Sequence, residues 1–225
     1  MTGINHGPQA TVRIQGQNII IRFLAHLFSF VFHPLFIPFY VVAFLTWYHP
    51  SYFAGFSSSN KLKLLLTTAL NTVFFPAFAI LLMKGLGFID SVFLRTQRDR
   101  IGPYLSSMIF YFWMARVYFK SEPTLPLILA SFMTGVFLTT VVGLLSNIYY
   151  KISMHAMGWG GVIGIFILVM KSNTMLMTWP LSAALLITGL VCTSRMLISD
   201  HSQKEIYTGL LAGVLCQLVA ALAIL

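Results

Sequence analysis

The chain has 225 residues, 58% of them hydrophobic and only 8% charged, with a mean hydropathy of +0.85 and a net charge of +9. A soluble domain carries roughly 25% charged residues, so this composition excludes a water-solvated globule and makes lipid the solvent. It also displaces the usual reading of a basic chain: the cations are expected to flank membrane spans and meet anionic head groups, with no nucleic acid as partner.

Residues 1–17 form a polar tail without an apolar signal core, so no cleavable signal peptide is expected and the first span acts as the insertion signal. Apolar runs then predict helices at roughly 24–47, 62–86, 104–120, 124–148, 155–171, 174–193 and 206–225, since a crossing needs about 20 apolar residues. The runs at 104–120 and 155–171 are short and either can fall short of a full span. The predicted fold is all-α, a polytopic transmembrane helical bundle of six to seven spans in one membrane-embedded domain.

Several residues take structural readings. Trp47, Tyr48, Trp159 and Trp179 stand near expected span ends, where amphipathic rings settle at the interface. His33 lies inside the first span just ahead of Pro34 and Pro38, which bend the helix, and its imidazole is expected to bond a neighbouring helix, as are Asn71 and Asn147. Cys192 and Cys216 fall in apolar stretches and read as packing residues rather than a disulfide. Gly158, Gly160, Gly161 and Gly164 mark close helix packing.

Alternation of spans puts the segments 87–103, 149–154 and 194–205 on one membrane face, with the N-terminal tail. Nine of the 14 Lys and Arg residues also fall on that face. Setting aside the arginines that are candidates for binding phosphate leaves the two faces equal, so the positive-inside rule does not orient the chain.

The acids are few: Asp90, Asp99, Glu122, Asp200 and Glu205. Enzymes that hold divalent metal for phosphoryl chemistry cluster their carboxylates, because a hard cation wants several oxygen ligands. No such cluster and no Cys/His metal spacing is present, so no metal or other cofactor is expected, and phosphoryl chemistry would fall to arginine and histidine.

Three segments carry that chemistry. The strongest runs from Ser194 and Arg195 through His201 to Glu205. If the chain is helical from His201 onward, His201 and Glu205 share a face. The carboxylate can then take one imidazole proton and leave the other nitrogen as a nucleophile. Arg195 offers a planar fork for a phosphoryl group. The second segment holds Lys151, Ser153 and His155, placing a histidine where it can protonate a leaving alkoxide and a hydroxyl where it can hold phosphate oxygens. The third holds Arg95, Arg98 and Arg100 ahead of Gly102-Pro103, an anion clamp before a proline-started helix.

Together these segments resemble the signature of the type 2 phosphatidic acid phosphatase superfamily: Lys-x6-Arg-Pro, then Pro-Ser-Gly-His, then Ser-Arg-x5-His-x3-Asp. The third motif matches at Ser194, Arg195 and His201, with Glu205 in place of aspartate. The second matches at Ser153 and His155, with Ile152 for proline and Met154 for glycine. In the first, Arg95 stands at the lysine position and Pro103 matches, while Gly102 replaces the arginine. The phrases around the motifs are similar to a divergent bacterial branch, which implies a bacterial inner membrane.

The resemblance implies a metal-independent lipid phosphatase acting on a polyprenyl, phosphatidyl or glycolipid phosphate or diphosphate. His201 would form a phosphohistidine and be oriented by Glu205, and His155 would protonate the leaving group. Arg195, Ser153 and Arg95 would hold phosphoryl oxygens, with Arg98 or Arg100 reaching in where Gly102 cannot. Three other readings stand beside it: a lipid-phosphate-binding scaffold that has lost turnover, a lipid-to-lipid phosphotransferase, and a small transporter.

Overall fold

A computed structural model of the chain describes residues 18–49, 51–92, 96–121, 124–172, 174–198 and 201–225. The first apolar stretch is not one straight helix. Helix α1 (Ile19–Val31) starts at Asn18, whose side chain accepts from Ile20 N–H, and ends where Phe32 and His33 leave the helical region. Pro34 causes the break, because a proline pushes its predecessor to extended backbone. A 3₁₀ turn over Pro34–Phe36 leads into α2 (Ile37–Ala43), which widens into a π-helical turn over Phe44–Tyr48.

The second stretch shows the same economy. Helix α3 (Ser58–Ala69) passes through a π-helical turn at Leu70–Phe74 into α4 (Phe75–Gly85). Pro76 has no N–H to return to Thr72, and the wider turn makes room for its ring. The Tyr111 hydroxyl reaches the carbonyl of Thr72 at 3.5 Å from the next helix. Helix α4 stops at Gly87, whose φ of 76° only glycine adopts freely. There Gly87 N–H bonds Lys84 O and Phe88 N–H bonds Met83 O, the pairing that closes a helix end.

The rest is long helices: α5 (Gln97–Lys120), α6 (Leu127–Tyr149), α7 (Met154–Ser172), α8 (Thr174–Ile198) and α9 (Gln203–Ile224). Among the described residues, 6 helical stretches are long and apolar enough to cross a bilayer: Ile19–Tyr48, Ser58–Gly85, Leu127–Tyr149, Met154–Lys171, Leu176–Ile198 and Gln203–Ile224. The expected all-α polytopic bundle is present, and the chain is an integral membrane protein. Helix α5, expected as the third span, is 24 residues long but is not among the six. It carries Arg98, Asp99 and Arg100 at one end and Arg116 and Lys120 at the other.

Glycines set the central contact between α7 and α9. A Cβ on Gly160 would lie 2.2 Å from the Leu210 carbonyl oxygen, and one on Gly213 would lie 2.0 Å from that of Met157. Such close backbones need hydrogen in place of a side chain, which is how lipid-embedded helices gain packing without a hydrophobic driving force. On the far side, α5 and α6 are pinned by a reciprocal pair. Asn147 Nδ2 donates to Gln97 O at 2.8 Å and Gln97 Nε2 donates to Asn147 O at 2.9 Å.

Three expectations are corrected. Asn71 bonds its own helix, donating to Thr67 O, one turn back, at 2.9 Å, the local side-chain-to-backbone bond open to a short amide in a helix. Trp159 is buried rather than interfacial, and its Nε1 donates to Phe32 O at 3.0 Å, a carbonyl at the break after α1. His33 likewise bonds locally: its Nδ1 accepts from Leu35 N–H at 3.2 Å and caps the 3₁₀ turn. Both cysteines are free and buried. The lipid-facing surface is carried by exposed groups such as Phe23, Trp113, Trp179 and Leu222.

Candidate functional site

Helix α8 ends at Ile198 and α9 begins at Gln203, so His201 precedes the helix instead of belonging to it. This corrects the expectation that the His201–Glu205 pair rests on helical spacing. Ser202 is the N-cap: its Oγ accepts from Glu205 N–H at 3.3 Å, and Glu205 Oε2 accepts from Ser202 N–H at 3.0 Å. This reciprocal box satisfies two donors that a helix start leaves open. The same Oε2 lies 3.0 Å from His201 Nδ1. A carboxylate there fixes the proton on Nδ1 and leaves a lone pair on Nε2. Burial pushes the His201 imidazole below its ordinary value, the Glu205 bond pulls it back up, and the cations of Arg195 and Arg100 push it down again.

The second part of the site meets on α1. Arg195, in the last turn of α8, donates from Nη1 to Ser29 Oγ at 2.8 Å. His155, at the start of α7, places Nε2 3.2 Å from that same oxygen and 3.1 Å from the Ser29 carbonyl oxygen. A carbonyl only accepts, so Nε2 of His155 carries a proton. Ser29 thus joins an arginine and a histidine from two other helices. The His33 ring stands perpendicular to the His155 ring, with centroids 5.0 Å apart.

Of the three clustered arginines, Arg100 enters the site. It is 4% exposed, its Nη1 donates to Ile152 O at 3.2 Å, and it senses the Glu205 carboxylate. Arg98 is exposed, and Arg95 lies outside the described residues. The division follows from the start of α5. Thr96 caps it by accepting from Asp99 N–H at 3.1 Å, and the Asp99 carboxylate accepts from Asp90 N–H at 3.0 Å. That bond holds the Asp99 acid below the ordinary carboxylate range. Gly102, at the motif's arginine position, faces Met83, whose Sδ would lie 2.8 Å from an added Cβ.

Ser153 is fully buried; its Oγ accepts from Ala156 N–H at 3.4 Å, and its N–H donates to Glu205 O at 3.3 Å. The first turns of α7 and α9 are therefore tied together at the site. The described acids here, Glu205 and Asp99, are committed to the bonds above. Among the described residues, no three His, Cys, Asp or Glu side chains converge as metal ligands.

Below this cluster lies a cavity of about 130 Å³. His33 and Met154 line it, together with Pro38, Phe132 and Met157, and it also touches Gln217 of α9. The Tyr104 hydroxyl and Gln217 Oε1, on side chains that also line it, are buried and have no hydrogen-bond partner among the described residues. An apolar pocket with a few polar groups, abutting a cationic cluster, suits a molecule with a charged head and a hydrocarbon body.

The structure brings His201, Glu205, Arg195, His155, Ser153 and Arg100 to one end of the bundle and leaves Arg98 at the surface. Ser29, Tyr104 and Gln217 were not singled out from the sequence, where a lone polar residue in an apolar run carries no signal of its own. No protein-family model, curated protein or solved structure matches this chain.

Proposed function

We propose that the chain is a divergent member of the type 2 phosphatidic acid phosphatase superfamily, set in a bacterial inner membrane. Its proposed activity is metal-independent hydrolysis of a membrane lipid phosphate or diphosphate through a phosphohistidine. One observation carries the reading: the His201–Glu205 pair and the Arg195–Ser29–His155 cluster lie together above an apolar cavity.

The lone pair on His201 Nε2 attacks phosphorus, and the bond from phosphorus to the lipid oxygen breaks. Glu205 stabilises the imidazolium that forms on His201. The negative charge of the bound phosphate lets His155 take up a second proton on Nδ1 while Nε2–H stays on Ser29, and the departing oxygen takes that Nδ1 proton. Water then attacks phosphorus and gives its proton to the now neutral His155. The P–N bond breaks, inorganic phosphate leaves, and both histidines are restored. Arg195 and Arg100 offset charge on the phosphoryl oxygens. Arg100 takes the part that Gly102 leaves empty, and Ser153 keeps the start of α7 in register.

The test is release of inorganic phosphate from a panel of lipid phosphates by purified protein in detergent with a chelator, beside His201→Ala. The expected result is release that survives chelation and vanishes in the variant. Release unchanged in His201→Ala would sink the mechanism. Binding without release would favour the scaffold reading, and phosphate moved onto an acceptor lipid would favour phosphotransfer.

A further inference from the structure

The cavity is not uniformly apolar, and the polar groups toward its head-group end are donors; the acceptor Gln217 Oε1 stands farther in, against Gly135, about two turns of α6 from the Gly143 that faces Tyr104. His33 Nδ1 accepts the Leu35 N–H, so the proton of the neutral ring sits on Nε2, and the ring lines the cavity beside His155. A proton on Nδ1 would oppose the Leu35 N–H, so the cap locks this tautomer. The second group is the Tyr104 hydroxyl. It is on a side chain 5% exposed, packed against Gly143 of α6, and has no hydrogen-bond partner among the described residues. Tyr104 follows Arg100 by four residues on α5, so the two share a face, with Tyr104 about 6 Å deeper. Arg100 reaches toward the head-group end, and Tyr104 offers a donor one turn below it.

Donors just beneath an anion site are poorly matched by a bare hydrocarbon chain, which offers no acceptor and leaves the Tyr104 hydroxyl buried unpaired. They are matched by a lipid that carries acceptor oxygens next to its phosphate, such as acyl ester carbonyls or the oxygens of an acylated sugar. A polyprenyl phosphate has no acceptor beyond its phosphate.

We propose that the cavity bounded by His33 and Tyr104 is a recognition site for the oxygen-bearing linkage of a lipid phosphate. It therefore selects acylated glycerol or sugar phosphates against polyprenyl phosphates. The inference rests on the lipid-phosphate reading above, but it concerns binding and does not require turnover.

Binding is measured by competition against a fluorescent lipid phosphate, with the whole protein in phosphatidylcholine nanodiscs. The competitors are a diacylglycerol phosphate, its dialkyl ether analogue, an acylated sugar 1-phosphate, and a polyprenyl monophosphate of comparable tail length. The diester is expected to bind about tenfold more tightly than the polyprenyl phosphate, the scale of one well-placed hydrogen bond. The ether analogue should fall between them, and the sugar arm tells ester from sugar oxygens as the source. Tyr104→Phe should shrink the ester-over-ether preference while leaving polyprenyl binding unchanged. His33→Ala should shrink it too, and His33→Asn, which can accept from Leu35 N–H and still donate, should restore it.

Equal affinity for ester and polyprenyl phosphates overturns the proposal, as does uniform weakening of all ligands in Tyr104→Phe. Selective binding without phosphate release would sustain the recognition site and overturn the hydrolytic reading.

Discussion

His201 and the backbone of Ser202 share a single oxygen of Glu205, each at 3.0 Å. One carboxylate therefore starts helix α9 and sets the tautomer of the proposed nucleophile. Glu205→Gln separates the two jobs, because glutamine still closes a capping box. Its amide, however, no longer offers a carboxylate charge to His201. The expected outcome is a fall in turnover of about 10²–10⁴-fold with little change in melting temperature. Glu205→Ala should add a stability loss of about 1 kcal/mol from the broken cap. Phosphate release and thermal unfolding, measured on both variants, check this.

The acid limb of kcat/KM should report His201 in the free enzyme. Only the neutral ring attacks, so a lowered pKa keeps the enzyme active below the ordinary imidazole value of 6.5. Arg100 lowers this pKa, so Arg100→Gln should move the limb to higher pH. Glu205 raises it, so Glu205→Gln should move the limb to lower pH. Stability follows the same linkage. Between 6.5 and the lower folded value, the unfolded chain binds a proton that the folded one refuses, so stability falls as the solution is acidified. A limb that stays fixed in both variants would show that another group titrates.

Arg100 and Arg98 lie two residues apart but differ in burial, which makes them a matched pair. Arg100→Ala removes a buried guanidinium that holds Ile152 O and faces the proposed phosphate site. It should cut kcat/KM by about 10²-fold or more. Arg98→Ala, at an exposed position, should fall within about 0.5 kcal/mol of wild type in stability and leave turnover near normal. Equal losses in the two would mean that the cluster acts through its charge alone.

The bundle was legible in the sequence because lipid imposes a length and an apolarity on every span. The pair His201–Glu205 was legible because its members are neighbours in sequence. The spacing argument behind it was mistaken in detail, since His201 lies ahead of the cap and the side chain of Glu205 turns back to meet it. Arg100 could not be chosen over Arg98 from the sequence, because Thr96 and Asp99 decide which arginine turns inward. Ser29 was invisible for a plainer reason: its partners are 126 and 166 residues away, and only the meeting of α1 with the start of α7 and the end of α8 brings them together.

That same serine supplies a prediction. Ser29→Ala keeps the carbonyl that holds His155 but removes the hydroxyl that receives Arg195 Nη1 at 2.8 Å. Loss of one such bond should destabilise the fold by about 1 kcal/mol and reduce turnover roughly tenfold as the arginine loses its anchor. Ser29→Leu, too large for the space between Arg195 and His155, should abolish turnover. Comparing the two against thermal unfolding distinguishes a lost anchor from a collapsed helix.

The contact between α7 and α9 ties the catalytic prediction to the fold. Ser153 N–H reaches Glu205 O at 3.3 Å only because the two backbones close on each other at Gly160 and Gly213. A methyl at Gly213 would sit 2.0 Å from Met157 O and 2.7 Å from the backbone nitrogen of Gly161. Backbone atoms, unlike the tip of a flexible side chain, have nowhere to go. Gly213→Ala should therefore push the helices apart, cost about 1–3 kcal/mol as overpacking does, and loosen Ser153 from Glu205. Turnover should fall although the substitution lies ten residues past the start of α9. Gly189 is the control: among the described residues, nothing stands within 4 Å of an added Cβ there. Gly189→Ala should raise the melting temperature slightly, since alanine is favoured over glycine by about 1 kcal/mol within a helix. Thermal unfolding and phosphate release on the two variants give the comparison. If Gly213→Ala melts and turns over like Gly189→Ala, the close approach of α7 and α9 does not hold the site.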